Sequence, residues 1–451
     1  MTVEAPNLGS ESIGRLYLRL AVPAVVAQVA NVLYNTVDRI FIGHIPEIGA
    51  KALTGVGVCF PVILIISAFA FLAGGGGAPL TSIMMGRQKP EEAEKILGNC
   101  TTLLAVFGLL LISGYLCFGN DILRMFGASD QTIGYASSYM DIYIWGTLFV
   151  QISLGLNPFI SAQGFAKIAM QTILIGAVLN TVLDPIFIFS LGLGVKGAAM
   201  ATVLSQAVSA IWVLAFLSGP KTILRIRPVN LRLSLKVVLP CLTLGLSPFT
   251  MQSTEGILNI CFNTSLLKYG GDLAVGTMTI LATLMQFSTL ILVALAQGAQ
   301  PIIGFNYGAG NADRVRKAFQ LAMKVSFLFS AIIWSVSIFA PKLVAGGFTK
   351  DASLIDYTSG VMPVFMASFL VMCVQITCQQ TFVALGYARI SVFLAVLRKL
   401  ILLIPFIYIL PRFFDDRALA VFLAEPIADL LAITTTAILF FLQFRRLLGM
   451  T

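Results

Sequence analysis

Long apolar segments, separated by short polar ones, fill almost the whole chain. Four of them, 52–86, 142–166, 273–312 and 357–388, contain no charged residue at all. Each is longer than the roughly 20 helical residues that cross the hydrocarbon core of a bilayer. The apolar runs are continuous rather than alternating, which excludes a barrel, so each segment must satisfy its own backbone hydrogen bonds as a helix.

The pattern therefore predicts an all-α integral membrane protein with twelve transmembrane helices. We place them at 16–44, 52–85, 93–119, 131–158, 168–190, 197–218, 235–267, 273–307, 318–340, 353–385, 389–411 and 418–444.

The two halves of the chain repeat one another at a constant offset. Residues 222 positions apart match in type at Gly76 and Gly298, Pro79 and Pro301, Gly86 and Gly308, Lys95 and Lys317, and Tyr135 and Tyr357. Each half holds an even number of helices, so the pseudo-twofold axis should run along the membrane normal, which is typical of transporters. We predict two pseudo-symmetric six-helix bundles, 1–218 and 234–451, joined by a cytoplasmic linker at 219–233.

Composition and charge fit a membrane protein and argue against nucleic-acid binding. Of the 451 residues 58% are apolar and only 11% are charged, where a soluble domain has about 25% charged residues. The net charge of +9 follows the loops: alternate loops carry 17 and 8 Lys or Arg residues. This positive-inside asymmetry predicts that both termini are cytoplasmic. The seven cysteines lie in apolar segments without metal-ligand spacing, so we expect neither disulfides nor a metal centre.

Two carboxylates lie inside predicted helices, Asp38 in the first and Asp184 in the fifth. Each costs roughly 3 kcal/mol at a helix centre, which favours a functional use over a structural pairing such as Asp38 with Arg39. Asn180 and Asp184 are four residues apart and share a helix face. In the sixth helix Thr202 offers a hydroxyl one turn after Ala198.

Such a cluster suits either of two coupling ions. Two desolvated carboxylates in one pocket cannot both stay charged at low cost, so the pair can take up a proton near neutral pH. Carboxylate, amide and hydroxyl oxygens without sulfur or imidazole suit a hard cation equally well, so Na⁺ competes with H⁺.

Polar stripes run along the first and seventh helices. The first carries Gln28, Asn31, Asn35 and Asp38 at helical spacing, and its repeat mate carries Gln252, Glu255 and Asn259. Hydrogen bonding between helices is the structural alternative. We interpret the stripes as facing a substrate path between the bundles.

Four further charged residues interrupt the last two helices. Arg398 and Lys399 lie in the eleventh helix, and Glu425 and Asp429 are four residues apart on the twelfth. We expect these groups to pair with one another inside the second bundle.

Several of these segments together resemble the multidrug and toxic compound extrusion (MATE) family, in its bacterial MepA-like branch. They are PAVVAQVANVLYNTVDRIFIG in the first helix, GRQKPEEAEKILGN at the third, LNTVLDP in the fifth and GVKGAAMATVLSQ in the sixth. The resemblance covers about 13–446 and implies a V-shaped transporter. It implies export of small cationic amphipathic drugs or dyes in exchange for H⁺ or Na⁺, with no other cofactor.

The resemblance also assigns roles to residues. It implies an ion site at Asp38, Asn180, Asp184 and Thr202, with the Ala198 carbonyl, and a drug-facing cavity that includes Asn31, Tyr34 and Asn157. Sodium-coupled relatives with a site in the second half would have an aspartate where this chain has Gln379 and Gln380. This departure points to the first half for ion coupling.

We therefore expect a bacterial plasma-membrane antiporter, not an enzyme, that acts as a monomer in the lipid bilayer without nucleic acid. A flippase for lipid-linked saccharides is one alternative, although it needs a cationic cavity for diphosphate. An intramembrane enzyme or proton-channel subunit is another. Against it stand the single histidine, His44, and the lack of a chain of buried lysines.

Overall fold

The computed structural model describes residues 7–447, and the regular structure of this part is entirely helical. The first half contains α1 Ile13–Gly43, α2 Gly49–Gly86, α3 Pro90–Met125, α4 Ile133–Ala162, α5 Ala166–Ser190 and α6 Gly194–Ser218. In the second half, the helix Leu235–Gly308 contains α7 (235–270) and α8 (272–308). It is followed by α9 Ala312–Phe339, the bent pair Ala352–Phe365 and Phe369–Ala384 as α10, α11 Ala388–Arg412, and α12 Arg417–Leu447.

Gly271 divides the 74-residue helix into two spans. Its φ of 65° and ψ of −163° belong to a region that residues with a side chain rarely adopt. A straight helix of 74 residues would be about 110 Å long. Cys241 and Phe305 nevertheless lie against Gly76 and Gly86, only three turns apart on α2. The chain therefore reverses at Gly271, in the predicted gap between the seventh and eighth helices.

The prediction of twelve membrane-spanning helices is confirmed. Among the described residues ten helices are long and apolar enough to cross a bilayer, and the two parts of α10, bent by 51°, form one more span. Counting α7 and α8 separately gives twelve.

Two π-helical segments interrupt repeat-related helices of the two halves, at different places along them. One is Ile186–Ser190 at the end of α5, and the other is Leu397–Leu403 in the middle of α11. In the first, the Leu191 amide donates to the Ile186 carbonyl at 2.9 Å, five residues back. Pro185, which has no amide proton to continue the α-helical pattern, comes directly before it.

Repeat-related glycines bring the two bundles into contact. A Cβ on Gly86 would lie 1.9 Å from the Phe305 carbonyl oxygen, and one on Gly308 would lie 2.1 Å from that of Ile83. Both the glycines and the carbonyls are 222 residues apart, so the pseudo-twofold axis passes between α2 and α8 at this point. We call this end of the molecule the glycine end.

The bundles separate at the opposite end, which gives the predicted V shape. Near the glycine end, one apolar cluster joins Leu16 and Tyr17 of the first half to Ile302 and Ile303 of the second. At the other end the apolar clusters belong to single halves, one within 42–199 and the other within 258–428. The open side of the V therefore faces away from the glycine end.

The segment between α6 and α7 lies against the first bundle. The side-chain oxygen Oε1 of Gln163 accepts hydrogen bonds from the Thr222 hydroxyl at 2.8 Å and from the Leu224 backbone amide at 2.8 Å. Glu94 accepts the Arg225 amide at 3.1 Å and pairs with Arg227 at 2.8 Å. The division into 1–218, 219–233 and 234–451 stays a prediction, and its outermost residues, 1–6 and 448–451, lie outside the described part.

Candidate functional site

Asp184 lies at the point where α5 changes from α-helical to π-helical geometry. Pro185 follows it, and the π-helical segment begins at Ile186. Single π-helical turns inside helices occur frequently at functional sites. The Asp184 side chain is fully buried, so the backbone irregularity and the buried carboxylate occupy the same turn.

An amide and a hydroxyl connect Asp184 to α6. The Asn180 side-chain amide donates to Asp184 Oδ1 and to Thr202 Oγ1, at 3.3 Å each. The Thr202 hydroxyl donates to the Ala198 carbonyl at 3.0 Å. Asn180, Thr202 and Ala198 are all buried. The structure thus brings four of the five predicted ion-coupling residues into one hydrogen-bonded group.

Asp38 of α1 lies beside this group. Its carboxyl group lies within hydrogen-bonding reach of that of Asp184. The neighbouring Arg39 guanidinium lies 4.9 Å from the centroid of the Phe60 ring. Among the ion pairs of residues 7–447 there is none between Asp38 and Arg39.

Three acceptor oxygens of this group have no protein donor. Asp38 Oδ1, Asn180 Oδ1 and Asp184 Oδ2 are buried and without a hydrogen-bond partner among the described residues. A buried acceptor without a donor is costly, and carboxylate and amide oxygens are ligands for hard cations. A proton shared by the two carboxyl groups, or a Na⁺ ion between the oxygens, would satisfy them. Nowhere in 7–447 do three or more His, Cys, Asp or Glu side chains cluster as metal ligands.

Two tyrosines of α4 lie next to the group formed by Asp38, Asn180, Asp184 and Thr202. They were not predicted from the sequence. Tyr139 and Tyr143 are buried and stack with ring centroids 5.8 Å apart. The Tyr139 hydroxyl reaches Thr202, and Tyr139 also lies near Asp38 and Tyr34. Their spacing of four residues on one helix face was the available signal. They form the wall of the carboxylate pocket on the α4 side.

A cavity of about 340 Å³ lies between the two bundles, beside the carboxylate pocket. Asn180 and Thr202 form part of its wall, whereas Asp38 and Asp184 do not. Of the predicted substrate-binding residues, the wall includes Gln28, Asn31, Tyr34, Asn157 and Gln252.

The other three predicted substrate-binding residues lie away from the cavity wall. Asn35 and Asn259 are exposed, and the Asn35 amide donates to the Asn31 carbonyl at 2.7 Å. The Glu255 carboxylate pairs with the Lys399 ammonium group, which also donates to the Met251 carbonyl at 2.9 Å. Lys399 thus supplies Glu255 with a cation from the chain itself.

Of the four charged residues predicted to pair with one another, Arg398, Glu425 and Asp429 do so, whereas Lys399 pairs with Glu255 instead. Arg398 donates to Asp429 Oδ1 at 2.6 Å and to Glu425 Oε1 at 3.3 Å. The Ser368 hydroxyl donates to the second Asp429 oxygen at 3.1 Å. The side chains of all three charged residues are at most 10% exposed. Lys399 and Arg398 both belong to the π-helical segment Leu397–Leu403.

We expect the substitution Arg398→Met to destabilise the protein by about 3–5 kcal/mol, because it leaves two buried carboxylates without their counter-charge. Thermal unfolding of the purified protein in detergent measures the loss. The triple variant Arg398→Met, Glu425→Gln, Asp429→Asn should recover most of the stability, since it leaves no charge uncompensated. Equal stability of Arg398→Met and wild type would contradict this account of the pairing.

Comparisons with known proteins identify relatives that cover nearly the whole chain. A family model described as MatE matches residues 23–186 and 249–445. The Multidrug export protein MepA of Staphylococcus haemolyticus is 24% identical over 403 residues, covering 89% of this chain and 88% of that protein. The protein of the same name from Staphylococcus saprophyticus subsp. saprophyticus is 22% identical, with 93% of each chain covered.

Solved structures with similarly low sequence identity to this chain share its fold. One is described as a MATE in the bent conformation; it has a TM-score of 0.92 and 22% identity, with 99% of each chain covered. Another, described as the outward-facing conformation of a multidrug resistance MATE family transporter of the MOP superfamily, has a TM-score of 0.91 and 23% identity over the same share.

Proposed function

The chain belongs to the MatE family, and we propose that it is a secondary active multidrug efflux transporter that exchanges H⁺ or Na⁺ for amphipathic drugs and dyes. Family membership makes it a multi-pass membrane transporter of the plasma membrane rather than an enzyme. The names of its curated relatives support drug export. The positive-inside asymmetry supports a cytoplasmic position for both termini and for the glycine end, and we propose that the monomer is the working unit.

One observation carries the proposed ion coupling. Three buried oxygens, of Asp38, Asn180 and Asp184, have no protein donor, and Asn180 separates this pocket from the cavity between the bundles. An ion that enters the pocket attracts Asp38 of α1 toward Asp184 of α5. Because α1 and α5 both also line the cavity, the cavity changes shape when the ion binds.

The proposed exchange is energetically sufficient. One coupling ion moving down a potential of about 100 mV supplies about 2.3 kcal/mol, which sustains a roughly fifty-fold concentration ratio of an uncharged compound. For a monovalent cation exchanged one for one, no net charge moves, and the concentration gradient of the coupling ion supplies the free energy. Carboxylates next to the cavity favour cations electrostatically, so we propose small cationic amphipathic drugs and dyes among the substrates.

A flippase for lipid-linked saccharides is the weaker candidate. Recognition of a diphosphate requires Arg or Lys side chains at the binding surface. Within the described part of the chain, no Arg or Lys lines the cavity between the bundles.

The test is dye uptake into everted membrane vesicles that contain the protein, with the H⁺ and Na⁺ gradients imposed independently. Uptake into such vesicles corresponds to export from the cell. We expect an acidic lumen or a Na⁺-loaded lumen to drive uptake, because the coupling ion then leaves the lumen as dye enters. Uptake that is the same with and without both gradients would exclude antiport.

A further inference from the structure

A groove of about 180 Å³ opens on the surface of the first bundle, where α5, α6 and the start of the linker meet. It shares no lining residue with the cavity between the bundles. Four spans separate the end of α6 from the end of α2, so the groove lies at the glycine end. Neither the ion pocket nor the cavity accounts for it.

Buried apolar side chains form the floor of this groove. Phe165 and Ile168 are buried, and the Phe165 ring packs edge to face against that of Phe216, with centroids 5.3 Å apart. Trp212 and Ala215 form the α6 side and are exposed. From Trp212 to the last residue of α6 is about 9 Å along the helix. The groove therefore runs from the membrane surface, where Trp is enriched, into the depth occupied by acyl chains.

Two basic side chains lie at the end of the groove nearest the membrane surface. Lys221 lines the groove, and the Arg225 guanidinium donates to the Pro220 carbonyl at 3.3 Å, which places it beside the Lys221 backbone. The Glu94 carboxylate, which accepts the Arg225 backbone amide, is paired with Arg227. Within residues 7–447 neither Lys221 nor Arg225 belongs to an ion pair. Both cations are therefore available to an anion.

The chain itself fills the corresponding place in the second bundle. Ile390, the residue 222 positions after Ile168, belongs to one apolar cluster with Phe440 and Phe444, whose rings stack with centroids 4.4 Å apart. α12 ends at Leu447, whereas the position that corresponds to the end of α6 is 440. The shorter α6 brings no such rings to the first bundle, so its apolar floor is left for a molecule from outside the chain.

We propose that this groove is a binding site for an anionic phospholipid. One acyl chain lies against the apolar floor and Trp212, and Lys221 and Arg225 bind the phosphate of the head group. Basic pockets between transmembrane helices on the cytoplasmic side bind anionic head groups in this way. The inference adopts the cytoplasmic position proposed above for the glycine end. A bound lipid joins the start of the linker to α5 and α6.

Quenching of Trp212 fluorescence by brominated lipids tests the site directly. The chain has three tryptophans, so Trp145→Phe and Trp334→Phe leave Trp212 as the single fluorophore. Nanodiscs of phosphatidylcholine receive increasing fractions of phosphatidylglycerol or phosphatidylcholine that is brominated on one acyl chain. Each basic group near the membrane surface favours an anionic lipid about fivefold. We therefore expect half-quenching at an about 5- to 30-fold lower fraction of phosphatidylglycerol than of phosphatidylcholine.

Separate variants test the charges and the shape of the site, and all the substituted positions are exposed. The double variant Lys221→Gln, Arg225→Gln should lower the preference for phosphatidylglycerol below about twofold. Arg316→Gln with Lys317→Gln, which removes the same charge from the second bundle, should leave it unchanged.

Ala215→Phe places a ring in the groove and should raise the fraction of phosphatidylglycerol needed for half-quenching at least about threefold, because the acyl chain is displaced. Ala437→Phe, 222 residues further along, is its matched control and should have no effect on Trp212.

Two results would overturn the inference. Half-quenching at equal fractions of the two brominated lipids would make the groove part of the ordinary lipid boundary of the protein. A preference for phosphatidylglycerol that survives loss of both Lys221 and Arg225 would assign the attraction to the net charge of the whole chain instead. Because the measurement requires no transport, either result leaves the proposed efflux function untouched.

Discussion

Replacing Asp184 with asparagine is expected to abolish ion-driven dye efflux without unfolding the protein. Asparagine keeps the shape of the side chain and can still accept the Asn180 amide, which lies 3.3 Å from Asp184 Oδ1. It cannot bind a proton or supply a charged ligand to Na⁺. The dye ratio sustained by the ion gradient should therefore fall to about one.

Stability distinguishes this loss of coupling from misfolding. Asp184 is completely buried, and removing an uncompensated buried charge commonly leaves stability unchanged or raises it. We expect the melting temperature of Asp184→Asn to equal or exceed that of wild type. Asp38→Asn should behave in the same way, because the two carboxyl groups share one pocket.

Asp141→Asn is the matched control for this substitution. Asp141 is exposed on α4 and accepts the Tyr115 hydroxyl at 3.1 Å, a contact that asparagine can retain. The Asp141→Asn variant should transport dye at the wild-type rate. The assignment of the coupling pocket fails if Asp38→Asn and Asp184→Asn both keep gradient-dependent uptake.

The second large effect is expected where α2 and α8 cross. A Cβ at position 308 would lie 2.1 Å from the Ile83 carbonyl oxygen, and one at position 86 would lie 1.9 Å from that of Phe305. Backbone atoms cannot move aside as a flexible side chain can. Gly308→Ala or Gly86→Ala should therefore destabilise the conformation closed at the glycine end by about 1–3 kcal/mol. That shifts its population roughly 5- to 150-fold.

Cysteine labelling measures this shift. The exposed Cys117 is first replaced by Ser. A cysteine introduced at Ala24, on the cavity wall, then measures the access of reagents to the cavity from the glycine end. In everted vesicles an impermeant maleimide should react with it faster in the glycine variants than in wild type, while dye uptake falls. Gly114→Ala is the matched control, since a Cβ there meets nothing within 4 Å. Unchanged labelling and uptake in Gly86→Ala and Gly308→Ala would contradict closure at this crossing.

The sequence was sufficient to predict the architecture because the bilayer restricts it strongly. Charge-free runs long enough to cross hydrocarbon must be helices, and a constant offset between Gly86 and Gly308 indicates a repeat. The structure turns that offset into a physical contact on the pseudo-twofold axis. Asn180 and Asp184 were likewise accessible from spacing alone, since residues four apart on a helix share a face.

Contacts between distant helices were beyond the reach of sequence patterns. The sequence of α7 offers Glu255 no basic partner close by. Its partner, Lys399, is 144 residues further along the chain. Nothing local to either residue specifies the pairing, which follows from the packing of α7 against α11. The proximity of Tyr139 to Thr202 depends in the same way on how α4 packs against α6.

The π-helical segments of α5 and α11 allow the two bundles to differ in the placement of their charged side chains. A π-helical turn contains one more residue than an α-helical one, so it can absorb an inserted residue that would otherwise rotate the following part of the helix by about 100°. An insertion absorbed in this way moves a charged side chain to a new face while both ends of the helix keep their neighbours. The same scaffold can therefore hold a carboxylate pocket in one half and a compensated ion-pair cluster in the other.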